Sequence, residues 1–167
     1  MGTESSVVKN LRVGTVTIED GSAGTALKLY EVAYEDGDFS FEADKDARIV
    51  VRDRGEIVGL LPGEQPVQGF SFTVDMRSFT SGSADTIVDV IERTGTWAGA
   101  TSAAPVGFVM FCHTVKFVAK GVAYGDGANH EIKAERSLLT WTFKEGDRNK
   151  ISIKGEVYGK VTRSGPA

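Results

Sequence analysis

The sequence predicts an all-β domain with a single helix lying over a sheet. Apolar and polar residues alternate with a period of two in segment after segment, and 20 glycines are spread along the 167 residues. Only one stretch has the periodicity of a helix. At this length one hydrophobic core is sufficient, so we expect one domain.

Strands are predicted where the alternation is clearest. In residues 70–76, FSFTVDM, the apolar side chains would share one face and the polar ones the other. Residues 151–161, ISIKGEVYGKV, repeat the pattern, and residues 11–19 form a further strand. The Asp36-Gly37 pair predicts a hairpin over residues 26–43. Residues 106–120 are apolar on both faces through Phe117, which predicts a strand in the sheet centre.

The helix is expected at residues 84–93, with Ser83 as its N-cap. Its apolar stripe would be Ala84, Ile87, Val88 and Ile91. Asp89 and Arg93, four residues apart, would form an ion pair on the exposed face.

Composition argues against several classes of protein. The formal net charge is −4, whereas tight binding to a phosphate backbone needs clustered Lys and Arg. The sequence has a single cysteine, Cys112, which excludes an intrachain disulfide framework. We expect Cys112 to be a small core residue. The apolar runs are much shorter than a membrane span, so no membrane association is expected.

Catalytic and metal-binding motifs are not found. His113 and His130 lack a second ligand at helical spacing, and Cys112 and His113 alternate across a predicted strand. The sequence has no G-x-S-x-G, P-loop or H-E-x-x-H motif. We therefore expect neither an enzyme nor a cofactor. Of the two tryptophans, Trp141 is predicted to be a core residue, and Trp97, in the loop at 96–107, a contact residue.

A charged, glycine-rich arm precedes the strand at 70–76. It contains RDRGEIVGLLPGEQPV, residues 52–67, with charges of both signs and an apolar tip. This arm, the strand GFSFTVDMRSF with the helix ADTIVDVIE, and the late segment LLTWTFKEGDRNKISIKGEVYG resemble the tail tube (major tail) proteins of long-tailed bacteriophages. The resemblance covers roughly residues 11–162.

The resemblance implies a two-sheet β-sandwich with one flanking α-helix and an extended arm. Its single domain would span residues 11–162, with an arm or loop at about 44–68, a flexible N-terminal arm at 1–10 and a tail at 163–167. Subunits would form hexameric rings that stack into a hollow tube for phage DNA. The arm residues expected to stack rings are Arg52, Asp53, Arg54, Glu56, Ile57, Leu60 and Leu61.

Other partners implied are the tape measure, distal tail and terminator proteins. DNA would pass through without specific binding, because a mildly acidic wall repels its backbone. Candidates for the lumen are Glu31, Asp75 and Glu156. The location implied is the virion tail, with assembly in the host cytoplasm.

Two other interpretations remain open at this point. A monomeric β-sandwich could bind a ligand such as carbohydrate through Trp97 and exposed tyrosines such as Tyr124 and Tyr158. A small β-barrel enzyme or carrier would need a pocket with a perturbed carboxylate, and the sequence offers no acid and base at a telling spacing.

Overall fold

The computed structural model describes residues 14–32, 38–42, 48–62, 67–81, 83–120, 127–146 and 149–165. The predicted N-terminal arm, the Asp36-Gly37 turn and Tyr124 lie outside these residues. The described strands are β1 Gly14–Glu19, β2 Leu29–Val32, β3 Ser40–Glu42, β4 Arg48–Asp53, β5 Glu56–Pro62, β6 Gln68–Asp75, β7 His113–Ala119, β8 His130–Lys144, β9 Lys150–Val157 and β10 Val161–Ser164, and helix α1 is Ile87–Glu92.

Eight of these strands form one antiparallel sheet in the order β2-β1-β7-β8-β9-β6-β3, with β10 also paired to β8. Among the strands that the structure describes, β4 and β5 pair only with each other. The all-β class with a flanking helix is thus confirmed. Strand β10 continues to Ser164, two residues beyond the predicted domain end.

The large sheet folds over on itself into two layers. Phe39, next to β3, stacks on Phe117 of β7 with ring centroids 4.3 Å apart. Because β3 and β7 are four places apart in the sheet order, a flat sheet would separate them by about 19 Å. One layer therefore contains β2, β1, β7 and β10, and the other contains β9, β6 and β3.

Strand β8 belongs to both layers and bends between them. Glu135 and Arg136 together oppose Thr114 alone, because His113 pairs with Ser137 and Val115 with Ala134. This extra residue is a β-bulge, and Arg136 has a positive φ of 55° there. The first part of β8 thus pairs with β7, and the part after the bulge pairs with β9.

The core lies between the layers and follows the predicted alternation. Phe70, Phe72 and Val74 of β6 are buried, as are Ile151 and Ile153 of β9. Cys112 is also buried, which confirms its assignment to the core. Trp141 is half-buried and packs against the same core.

Two predicted strand assignments are wrong. Strands β2 and β3 do not pair as a hairpin, since β2 pairs with β1 and β3 with β6, at opposite ends of the sheet. Residues 106–112 are not strand, and the chain enters β7 only at His113. Both errors have one cause: local pattern identifies apolar segments but not their partners.

The helix is shorter than predicted. Its N-cap is Thr86, whose hydroxyl accepts a hydrogen bond from the Asp89 amide (3.1 Å), so the Ser83 assignment is wrong. Asp89 is fully buried rather than paired with Arg93 on the surface. Its carboxylate accepts from the hydroxyls of Thr80, Thr86 and Thr94 and from the Ser81 amide, which fixes the segment before the helix. Ile87, Val88 and Val90 are the buried apolar residues of the helix, while Ala84 is exposed.

Gly155 provides a test of this packing. It pairs with Phe70 across β9 and β6, and a Cβ at position 155 would collide with the Phe70 ring. We expect Gly155→Ala to lower the free energy of unfolding by about 1–3 kcal/mol, measured by urea denaturation. In the control Gly99→Ala, the added Cβ would make only ordinary contact, at 4.0 Å from Lys28 Nζ. Equal stability of the two variants would contradict the packing described.

Candidate assembly surface

The described part of the predicted arm is mostly a β-hairpin formed by β4 and β5, and residues 44–47 and 63–66 of that arm lie outside the described residues. Its register runs from Arg48 opposite Pro62 to Asp53 opposite Glu56, with an irregularity after Val51. The two residues of the turn, Arg54 and Gly55, have positive φ values of 48° and 90°. This conformation matches the twist of a tight antiparallel hairpin, and Gly55 adopts it without strain.

The hairpin exposes an unusual amount of apolar side chain. Ile57, Val58 and Leu61 are 59%, 60% and 54% exposed, and Ile49 is 56% exposed. Val50 and Val51 are also exposed. A two-stranded hairpin in water is marginally stable at best, and contiguous apolar surface on a soluble protein usually marks an interaction site. The arm therefore has the properties of an interaction surface.

Charged residues cluster at the tip of the hairpin. Arg52, Asp53, Arg54 and Glu56 are all exposed, and the Arg52 guanidinium donates to the Gly55 carbonyl at 3.3 Å. The expected apolar tip is not found, because Ile57 and Leu61 lie along β5, beyond the turn. Leu60 pairs with Val50 in the ladder. An Arg-Gly turn carries a weaker hairpin signal than Asp-Gly, and the residues on both sides of it, RIVVRD and EIVGLLP, do not alternate between apolar and polar.

The three lumen candidates are exposed but belong to different layers. Glu31 of β2 lies opposite Thr17, in the layer with β1 and β7. Asp75 of β6 is opposite Lys150, and Glu156 of β9 is opposite Gly69, in the other layer. Glu156 also accepts a hydrogen bond from the Tyr158 hydroxyl at 2.7 Å. A lumen lined by one layer would therefore not include all three.

Trp97 is not a contact residue. It is 1% exposed and lies in the core, with its ring centroid 6.3 Å from that of His113. The small-residue loop around it predicted exposure, but a short 3-10 turn at Gly95–Trp97 directs the indole inward. The carbohydrate-binding interpretation thereby loses its main residue.

A second exposed apolar segment was missed. Val106 and Val109 are 107% and 98% exposed, and Phe108 and Met110 are also exposed. The sequence placed these residues in the sheet centre because an apolar run is typical of a buried strand. Pro105 and Gly107 at its start were the signal for a loop.

Asp89 is a buried carboxylate whose hydrogen bonds keep it charged. Burial raises the pKa of Asp89, but its hydrogen bonds more than offset this and lower it to about 2.

Among the described residues, no three His, Cys, Asp or Glu side chains are grouped to hold a metal. No helix in the same part of the chain is long and apolar enough to cross a membrane.

Comparison with solved structures identifies the architecture. A chain of the PVC sheath-tube complex, from an extracellular contractile injection system in the extended state, matches with a TM-score of 0.60 and 11% identity over 96% of this chain and 94% of that one. The protein has a tail-tube-like fold. A chain of the anti-feeding prophage tube-terminating cap gives a TM-score of 0.60 at 11% identity, covering 99% of this chain and 97% of that one.

A chain of the 6-fold symmetrised anti-feeding prophage baseplate matches this tail-tube-like fold with a TM-score of 0.58, at 11% identity and covering 99% of this chain and 98% of that one. No protein-family model and no curated protein matches the sequence. The fold is therefore recognised from the structure, although the sequence identity to these chains is only 11%.

His113 makes the stability of the tail-tube-like domain sensitive to acid. Burial lowers its pKa to about 4, although Nε2 lies 3.1 Å from the Val90 carbonyl, and Nδ1 is buried without a partner. The unfolded chain, with a histidine pKa of about 6.5, takes up a proton first as the pH falls. Stability is therefore fully present above pH 6.5 and declines toward pH 4.

From pH 7.5 to pH 5 we expect His113 to reduce the free energy of unfolding by about 2 kcal/mol, measured by urea denaturation. The variant His113→Phe removes the titrating group, so its stability should fall less over this interval. If both proteins lose the same amount, His113 is not the source of the acid sensitivity.

Proposed function

We propose that this protein is a structural tail tube subunit that polymerises as stacked rings into a hollow conduit. The main support for the proposal is the β4–β5 hairpin. It projects exposed apolar side chains and a charged tip, while pairing with no other described strand. The tail-tube-like fold supports the same role.

The hairpin would join one ring to the next. Its apolar faces would be covered by the neighbouring subunit, and the charges of Arg52, Asp53, Arg54 and Glu56 would set the register of the contact. A contact between a projecting arm and a different surface of the next copy is head-to-tail, which generates rings or open stacks rather than closed dimers. Six subunits per ring is the number that the tail-tube resemblance favours.

Sheet edges would offer only a short lateral contact within each ring. Strands β2 and β3 end the eight-stranded order, so each offers one backbone edge for pairing in the part of the chain described. Natural monomers usually shorten or protect such edges. Here β2 and β3 have four and three residues, so the pairing that they offer is short.

The conduit would carry phage DNA without binding it specifically. The net charge of −4 disfavours contacts with phosphates, and charges beyond about 8 Å are screened at physiological salt. If the layer that contains β2 faces the lumen, Glu31 would be the acidic residue of its wall. If the other layer faces the lumen, Asp75 and Glu156 would be. No catalytic step is part of this role.

The remaining partners follow from the same proposal. The subunit would meet tape measure, distal tail and terminator proteins at the ends of the tube. It would be made in the host cytoplasm and would reside in the virion tail. The solved neighbours come from sheath-tube, cap and baseplate assemblies, which supports a place within a multi-protein tail.

Replacing residues 49–61 with a short Gly-Ser linker tests the proposal. We expect the variant to fold, because the large sheet and the core do not use β4 or β5. It should lose polymerisation, measured by sedimentation and electron microscopy over a range of concentrations. A linker of equal composition replacing the exposed Gly24–Ala26 turn serves as control and should leave assembly intact.

Two results would count against the role given to the hairpin. Tubes of normal length formed by the linker variant would show that ring stacking does not need it. An unfolded variant would show that the hairpin belongs to the core.

A further inference from the structure

The loop at residues 105–111 is a second apolar surface that the protein itself leaves uncovered. Val106 and Val109 expose essentially their whole side chains, and Met110 is 54% exposed. The hairpin of the same chain is also exposed, so it does not cover this loop. The chain thus presents two apolar surfaces, one on a projecting arm and one on a loop.

The loop is held in a defined shape. At its base, the Ala103 amide donates to the Cys112 carbonyl at 2.8 Å, and the Cys112 amide donates to the Ser102 hydroxyl at 3.1 Å. Within it, the Phe108 amide donates to the Pro105 carbonyl at 3.1 Å, and Gly107 has a positive φ of 94°. A surface fixed in this way loses little conformational entropy on binding.

Aromatic contacts anchor the two sides of the loop. Phe111 lies under the Arg93 guanidinium, 4.8 Å from the ring centroid, and edge-on to His113 at 4.9 Å. The Phe108 ring centroid is 6.3 Å from that of Tyr158. These contacts hold the loop on the body of the domain, whereas Val106 and Val109 point into solvent.

Two exposed arginines, Arg93 and Arg136, lie near the loop. Arg93 contacts Phe111, and Arg136 is bonded through its carbonyl to the Tyr158 amide at 3.1 Å. In the hairpin, Asp53 and Glu56 lie directly opposite each other beside the turn. Like charges in this arrangement repel, and a cation of a neighbouring copy would stabilise the two carboxylates in addition to Arg52 and Arg54 of the same tip.

We propose that the loop 105–111 of one copy is the binding surface for the β4–β5 hairpin of the next copy. The apolar faces of the hairpin meet Val106, Phe108, Val109 and Met110, and Asp53 and Glu56 meet Arg93 and Arg136. A second copy is the favoured occupant because the same chain exposes both apolar surfaces, and because Asp53 and Glu56, which repel each other across the hairpin, can pair with the arginines near the loop. The inference rests on the proposed tube function and names the other half of its stacking contact.

Two single substitutions separate the halves of this contact. Val109→Asp places a charge on the loop, and Val58→Asp places one on the hairpin. Both side chains are exposed, at 98% and 60%, so each variant should fold, checked by circular dichroism and thermal melting. Val109→Thr keeps the shape without adding a charge and is the matched control.

We expect either Asp variant alone to raise the critical concentration for polymerisation at least tenfold, because an unpaired charge would be buried at every junction. The control should stay within about threefold of the original protein. Mixing the two Asp variants should restore one junction, between the intact hairpin of Val109→Asp and the intact loop of Val58→Asp. Mass photometry should then show a species of twice the mass of either building block, and no longer polymers.

The outcomes distinguish this inference from the function on which it rests. If the linker and Val58→Asp variants lose polymerisation but Val109→Asp polymerises normally, the loop is not the binding surface and the tube proposal stands. A mixture without the doubled species would also overturn the loop assignment. If the unchanged protein never assembles, both proposals fail.

Discussion

The eight-stranded sheet folds over on itself around Phe39, and this closure creates the core and decides which segments lie outside it. The Phe39 ring lies on Phe117 and within about 6 Å of Phe70, which brings strands from both layers of the sheet to one core. The bulge at Arg136 lets β8 serve both layers, and Gly155 leaves room for Phe70 beside β9. Without this closure β2 and β3 would end a flat sheet with one apolar face in water.

The same closure determines which surfaces remain for assembly. The facing side chains of the two layers form the core, and β4 and β5 lie outside it. These two strands are nevertheless apolar enough to be buried. The loop at 105–111 is excluded in the same way, since the chain joins the sheet only at His113. Burial of both segments in a neighbouring copy would be favourable, which is a physical reason for the proposed polymerisation.

Much of the fold could be predicted from the sequence, but the partners of its segments could not. Alternation located the strand with Phe70, Phe72 and Val74, and the resemblance drawn from the arm indicated a tail-tube-like fold. Asp89 and Trp97 were predicted to be exposed, but both are buried. The burial of Asp89 depends on four hydrogen-bond donors, and that of Trp97 depends on a short 3-10 turn. The apolar loop was misassigned because an exposed interface has the same composition as a core strand.

The most direct test of the central claim is electron microscopy of the purified protein at increasing concentration, with tail extract added in parallel to supply an initiator. The proposed role predicts rings or hollow rods with a stain-filled channel, whose length increases with concentration. A protein that remains monomeric in every sample, with the hairpin and the loop still exposed, would contradict it.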